Sequence, residues 1–170
     1  FQNCFEYGHD IGIDVQNDAH ACNFVNVGVD GWVDAADPTT IGVRISGTAR
    51  RNKFFGGFYS SKGISVQVSC TGDEQNEFIG VVATGGARRV AEILDGQVSF
   101  IGCDFTYGPG TGNMAVSALH ISDAAGNVVV TGSDISQIAF TADTPAAMQR
   151  LVLAGNRGSN GAVQRLGIAL

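Results

Sequence analysis

Six carboxylates could supply an acid, a base or a nucleophile: Glu6, Asp10, Asp14, Glu92, Asp104 and Asp134. Each lies in or beside a short stretch that reads as a strand or corner, and each is expected to face outward. Inverting hydrolysis of a glycosidic bond needs two carboxyl groups about 6.5–9.5 Å apart. Side chains on neighbouring strands can meet that distance without any linear motif. Asp30, Asp34 and Asp37 cluster in "DGWVDAADP" (30–38) and are the candidate calcium ligands, although their order does not match the loop D-x-[DN]-x-[DN]-G. The same stretch holds Trp32, the only tryptophan. The flat apolar face of a pyranose packs on an aromatic ring, so Trp32 is a candidate sugar platform, with Tyr7 and Tyr107 beside it. Tyr59 is expected on the same flank. Other catalytic signatures fail: "GPGTGN" (108–113) lacks the Lys-Ser/Thr of a phosphate loop, and there is no Gly-x-Ser-x-Gly elbow.

The elements that must position these residues are β. Gly is 24 of 170 residues, about twice its usual share of roughly 7%, while Pro is only 3. The glycines sit among Val, Ile and Phe, so they mark tight turns rather than a flexible linker. The chain is long enough for one core and is expected to form one domain over residues 1–170. A net charge of −6 argues against a nucleic-acid partner, and Arg50, Arg51, Arg88 and Arg89 are expected on solvated turns. No stretch of eighteen apolar residues marks a membrane span.

A phrase returns along the chain. Phe1, Phe24, Phe54, Phe78, Phe100, Val130 and Leu153 are spaced by 23, 30, 24, 22, 30 and 23 residues. In all seven, Gly or Asn follows two positions later. A second phrase precedes most of these anchors: "GIDVQN", "GVRISG", "ISVQVSC", "VAEILDG" and "SALHISDAAGN". It alternates with period two, as a strand with one inward face does. Asn23, Asn52, Asn76 and Asn127 at the joints are expected to hold left-handed corners. "TPAAMQRLV" (144–152) is read as loop.

A repeat of about 23 residues with no helical period describes a solenoid of strands. The expected fold is all-β: a single-stranded right-handed parallel β-helix of about seven rungs, with the Phe anchors stacked in one interior column. Leucine-rich repeats lack support because the Leu consensus is missing. A β-sandwich does not explain one phrase in fixed order seven times.

This repeat resembles the right-handed parallel β-helix superfamily, which includes pectate lyases, polygalacturonases and phage tailspike or spike proteins. The resemblance covers almost the whole chain and implies the fold rather than one activity. Polygalacturonases carry a Gly-His-Gly phrase followed by an Arg-Ile-Lys phrase. By resemblance, His9 in "YGHDIGIDV" and Arg44 in "GVRIS", 35 residues apart, are candidate catalytic residues; Asp10 and Asp104 join the catalytic candidates as outward carboxylates, not through the resemblance. The match departs at Asp10, where the second Gly would stand, and at Ser46, where the Lys would stand.

Cys4 and Cys103 occupy equivalent places four rungs apart, roughly 19 Å at 4.8 Å per rung, too far for a disulfide. Cys22 and Cys70 are also poor partners, and all four read as small buried hydrophobes. No zinc spacing is present and no cofactor is expected. Phe1 falls where a rung is already under way, so the chain reads as the C-terminal part of a longer protein. Leu166, Ile168 and Leu170 make an apolar tail. Together with the resemblance, these features lead us to expect a side-by-side homotrimer. The functional expectation is a spike or fibre segment of a phage-like particle that recognises host cell-surface polysaccharide. It would sit on the virion surface or be extracellular, joined to other virion proteins through the upstream part. The alternative is a polysaccharide hydrolase or lyase.

Overall fold

Two demands recur at every level of the fold: a buried ring or aliphatic chain, and a sharp corner two residues later. The computed structural model describes residues 1–8, 10–31, 39–71, 73–85, 88–107 and 118–158. The first turn supplies β1 (Phe5–Tyr7) and β2 (Ile11–Val15). The second supplies β3 (Asn23–Val25), β4 (Gly28–Gly31) and β5 (Ile41–Gly47). The third supplies β6 (Lys53–Phe55), β7 (Phe58–Ser61) and β8 (Ile64–Cys70). Then come β9 (Asn76–Ile79), β10 (Val82–Gly85) and β11 (Arg89–Ile101). The long β11 crosses from one face to the next and bends at Gly96, which has φ +83°. The last turns hold β12 (Asp104–Tyr107), β13 (Ala118–Ile121), β14 (Ala125–Thr131), β15 (Phe140–Ala142) and β16 (Leu151–Ala154).

All pairings between these strands are parallel, each strand lying beside its counterpart one turn away. The result is a parallel β-solenoid with three faces. Face A carries β3, β6, β9, the end of β11, β14 and β16. Face B carries β1, β4, β7, β10 and β12. Face C carries β2, β5, β8, the start of β11, β13 and β15. Five strands on face B count about five full turns, while the anchor column continues over seven levels.

The anchors stack in register: Phe24 beside Phe54, Phe78, Phe100, Val130 and Leu153. From Phe1 to Phe100 the ring centroids are 5.1, 4.4, 4.6 and 5.2 Å apart, with planes within 19° of parallel. Tyr59 meets Phe54 and Phe78 edge-on, and Phe105 meets Phe100 the same way. Such aromatic pairs contribute about 0.5–1.5 kcal/mol each beyond area burial.

The residue two places after each anchor is left-handed at all seven levels: Asn3, Asn26, Gly56, Gly80, Gly102, Gly132 and Gly155, with φ between 51° and 63°. That conformation costs most residues roughly 1–2 kcal/mol, and Gly or Asn adopt it routinely. The other asparagines behave differently from the expectation. Asn23, Asn52, Asn76 and Asn127 are not left-handed; Ala21 and Arg51 take the corner instead. Asn52 and Asn76 point inward and are fully buried. They hydrogen-bond peptide groups that the corner leaves unpaired: Asn52 Oδ1 accepts from the Cys22 N–H at 3.1 Å, and Asn76 Oδ1 accepts from the Asn52 N–H at 3.0 Å.

Residues Pro145–Met148 form one helical turn, α1, capped by Thr144, where a loop was expected. Arg89 lies in β11 rather than on a turn and pairs with Glu92. Cys70 and Cys103 are buried, but Cys4 is exposed; all four are free thiols. Among the described residues no helix is long and apolar enough to cross a membrane.

The corner column makes a clean prediction. A Cβ built on Gly80 meets nothing within 4 Å, so Gly80→Ala isolates the conformational cost. Gly80→Ala should lower unfolding free energy by about 1–2 kcal/mol, and Gly80→Asn by clearly less. Phe78→Ala, which empties the stack, should cost about 3–5 kcal/mol. Denaturant midpoints of the three variants check this.

Candidate functional site

Face C presents one polar side chain per turn between two apolar ones. The triplets are Ile13-Asp14-Val15, Val43-Arg44-Ile45, Val66-Gln67-Val68, Ala91-Glu92-Ile93, Leu119-His120-Ile121 and Phe140-Thr141-Ala142. The apolar flanks point into the core; the middle residues fall in register as a column, Asp14–Arg44–Gln67–Glu92–His120–Thr141. Steps of about 4.8 Å make this a polar ladder roughly 24 Å long.

Its members are tied to one another. Arg44 donates to Asp14 through two guanidinium nitrogens, Nε at 3.0 Å and Nη2, and Gln16 also donates to Asp14. Gln67 donates to Glu92 at 2.9 Å, and Arg89 holds the other Glu92 oxygen at 3.0 Å. His120 Nδ1 lies 2.9 Å from the Thr141 hydroxyl and Nε2 lies 3.0 Å from Asp143. A carboxylate only accepts, so Nε2 carries the proton toward Asp143, and Nδ1 of the neutral ring accepts from Thr141. Asp143 also accepts the Asp123 N–H, and Asp123 accepts from Thr144, the cap of α1. Glu92 and His120, adjacent in the ladder, are only 6% and 8% exposed.

Electrostatics separate the two ends. The Arg44 guanidinium holds the Asp14 carboxyl below its usual range. Burial, then the charge of Arg89, pushes the His120 imidazole below its ordinary value of 6.5 against the opposing pull of Asp143 and Glu92. On face B, Arg157 and Ser136 hold the Asp134 carboxyl at about 2. Carboxylates lowered in this way suit electrostatic binding; a general acid working near neutral pH needs its pKa raised.

Among the described residues, those singled out from sequence are not assembled into one centre. Arg44 is engaged by Asp14. Asp10 lies four residues before Asp14, so it is roughly 13 Å away along the strand direction at about 3.3 Å per residue. Asp10 is exposed, and its carbonyl accepts the Ile41 N–H. Asp104 is on face B, level with Asp134 one turn away, so these two carboxylates stand on neighbouring rungs. His9, Trp32, Asp34 and Asp37 lie outside the described residues, as do Leu166, Ile168 and Leu170. Asp30 is in β4, level with Tyr7 and Ser60. Among the described residues no group of three or more His, Cys, Asp or Glu side chains gathers as a metal site.

Tyr7 is exposed and stacks loosely on Phe5 at 6.4 Å. Tyr107 ends β12, four levels from Tyr7, and only its backbone is described. Tyr59 is not on a flank: it is fully buried, because its column holds Val29, Ala83 and Phe105. Glu6 also falls on that interior column, so it does not face outward as expected, and it is exposed at the first turn. A cavity of about 580 Å³ opens there beside Phe24, Val27 and Ile13.

Gln67, His120, Thr141 and Asp143 were missed by sequence reasoning. The signal was present: aligning the strand phrases on their apolar flanks puts one polar residue at the centre of each.

No family model, curated protein or solved structure matches this chain. The fold and the face C ladder therefore define its class on their own: a parallel β-solenoid with an outward-directed polar ladder.

The pH dependence of stability follows from the shifts. A lowered His120 pKa means the unfolded chain binds a proton before the native state does. The stability it contributes is present above about pH 6.5 and is lost as pH falls through the lower folded value. Urea midpoints should therefore drop between about pH 7.5 and 5.5 in the parent, and the drop should shrink in His120→Gln. Asp14 and Asp134 act in the same direction but only below their usual value of 3.8, in a separate window.

Proposed function

We propose that this solenoid is a segment of a spike or fibre of a phage-like particle that recognises host cell-surface polysaccharide. The observation that carries the reading is the face C ladder. A polymer lying along the solenoid axis meets the more exposed groups Asp14, Arg44, Gln67 and Thr141, which are anionic, cationic, amide and hydroxyl in character, with Glu92 and His120 nearly buried between them. Such an array suits hydroxyl-rich and partly charged chains better than an apolar ligand. The similarity of the repeat to the β-helix superfamily supports the spike assignment, including a homotrimer on a virion surface or outside the cell, bound to other virion proteins. Trp32, Tyr7 and Tyr107 remain the proposed stacking residues.

A second reading, a polysaccharide hydrolase or lyase, is favoured by one feature: Glu92 and His120 are buried titratable neighbours on an otherwise solvent-facing column. The two readings part in one assay. The protein is titrated with purified bacterial capsule or lipopolysaccharide chains, and binding and chain cleavage are measured together. The binding reading expects saturable affinity with no new reducing ends and no unsaturated-uronate absorbance. Removing one hydrogen-bonding partner contributes roughly 1–1.5 kcal/mol, so Gln67→Ala or Arg44→Ala should weaken binding about tenfold. Cleavage that disappears in Glu92→Gln would replace the binding reading with the enzymatic one. Affinity unchanged by Gln67→Ala and Arg44→Ala would remove the ladder as the site.

A further inference from the structure

The ladder changes character at the step from β13 to β15. Earlier steps join charges or amides, Arg44 to Asp14 and Gln67 to Glu92. Here a hydroxyl faces an imidazole. Thr141 and Asp143 stand two residues apart, so period two turns both outward, roughly 6.6 Å from each other along the strand direction. His120 lies directly across from Thr141 in register. Its ring reaches both: Nδ1 is 2.9 Å from the Thr141 hydroxyl and Nε2 is 3.0 Å from the Asp143 carboxylate.

We propose that this trio is a hydrolytic site for short-chain carboxylic esters, with Thr141 as nucleophile, His120 as base and Asp143 as the residue that positions the ring. Thr141 donates to Nδ1 and the Nε2–H donates to Asp143, so the nucleophile's proton already points at its acceptor. Burial and the charge of Arg89 keep the imidazole neutral near pH 7, the form that can take a proton. The positioning carboxylate is itself held. Its second oxygen accepts the Asp123 N–H at 3.2 Å, and Asp123 accepts from Thr144, the cap of α1. A fixed carboxylate sets the tautomer and orientation of the ring.

The surroundings leave room for an acyl group. His120 is nearly buried, whereas Thr141 and Ala142 are half-buried and Asp143 is exposed, so the hydroxyl is reachable from solvent. The Leu119 N–H donates to Ala139 and the Asp143 N–H to Ile121. The alternation of a parallel ladder therefore turns the intervening Ala142 N–H away from β13. A backbone donor one residue after the nucleophile suits the oxygen of a carbonyl under attack.

The chemistry balances with water as the co-reactant. Thr141 Oγ bonds to the ester carbonyl carbon as its proton passes to Nδ1. The tetrahedral adduct collapses, the bond to the alcohol oxygen breaks, and the alcohol leaves with the Nδ1 proton. Water then attacks the acylated Thr141, giving a proton to Nδ1. The carboxylic acid leaves, and Thr141 Oγ regains that proton. Glu92, one level earlier, takes no part, since Gln67 and Arg89 engage both its oxygens. The bond cleaved is thus an ester and not a glycosidic bond. That an O-acyl group on a hydroxyl-rich chain lying along the ladder would reach Thr141 rests on the binding reading; ester hydrolysis itself does not.

Hydrolysis of 4-nitrophenyl acetate by the 170-residue chain tests the site without any glycan, in a Cys4→Ser background that removes an exposed thiol. The rate should saturate with ester concentration. Thr141→Val and His120→Gln should each lower kcat about a hundredfold or more, Thr141→Ser should keep it within about tenfold, and Asp143→Asn should lower kcat with KM little changed. His20→Gln, at an exposed imidazole outside the trio, should leave the rate unchanged. An alkyl fluorophosphonate should label the peptide that holds Thr141 and should not label it in Thr141→Val. This reading needs no turnover and stands even where His120→Gln does not fold. A rate that never saturates, that survives Thr141→Val with the label, or that falls equally in His20→Gln overturns the proposal. Glycan affinity without ester hydrolysis overturns this site alone, whereas Thr141-dependent ester hydrolysis without glycan affinity supports it and removes the binding reading.

Discussion

The near-parallel stack of phenylalanine rings from Phe1 to Phe100 sets the register on which every other contact in this solenoid depends. A one-residue slip in any turn would take a ring out of the stack and put its polar neighbour into the core. It would also move a left-handed corner onto a residue that resists that conformation. Ring and corner are only two positions apart, so the two penalties act together. Once they fix the turn, face C has no freedom left. Asp14, Arg44, Gln67, Glu92, His120 and Thr141 must line up, because the apolar residues on either side of each are held in the core.

That coupling explains what could be read from the chain. The anchors were legible because a buried ring stack tolerates few residue types, and the Gly or Asn two positions later because few residues accept a positive φ. The strand phrases were legible through alternation. The joint asparagines misled, because asparagine serves two opposed purposes. Asn3 and Asn26 hold left-handed corners, whereas Asn52 and Asn76 turn inward to satisfy buried peptide groups. Only the backbone distinguishes these uses. Glu6 and Tyr59 misled for a related reason: period two assigns alternate residues to opposite faces, and one misplaced strand start exchanges inside for outside.

The candidate site was half legible. Asp14, Arg44 and Glu92 were marked as separate groups, yet their common column depends on register across turns of unequal length. The search for a catalytic pair centred on His9 and Arg44 directed attention along the chain, while the fold collects chemistry across it. Arg44 finds Asp14 thirty residues earlier, and His120 finds Asp143 and Thr141 more than twenty residues later. Outward residues on the other faces follow the same rule and give the three faces distinct characters. Face B mixes exposed aromatic rings with Asp104 and Asp134, face A sets an apolar column beside one that begins Asn23, Lys53, Glu77 and Ser99, and face C carries the polar ladder with Leu94 exposed beside it.

The account rests most heavily on face C as the surface that meets a polysaccharide. Backbone amide chemical shifts, followed while a capsule or lipopolysaccharide fragment is added, test this most directly. The account predicts saturable changes concentrated at Asp14, Arg44, Gln67, Glu92 and His120, with the outward residues Ile79 and Ile101 of face A unaffected. Changes confined to face A or B, with the ladder silent at saturation, would contradict it.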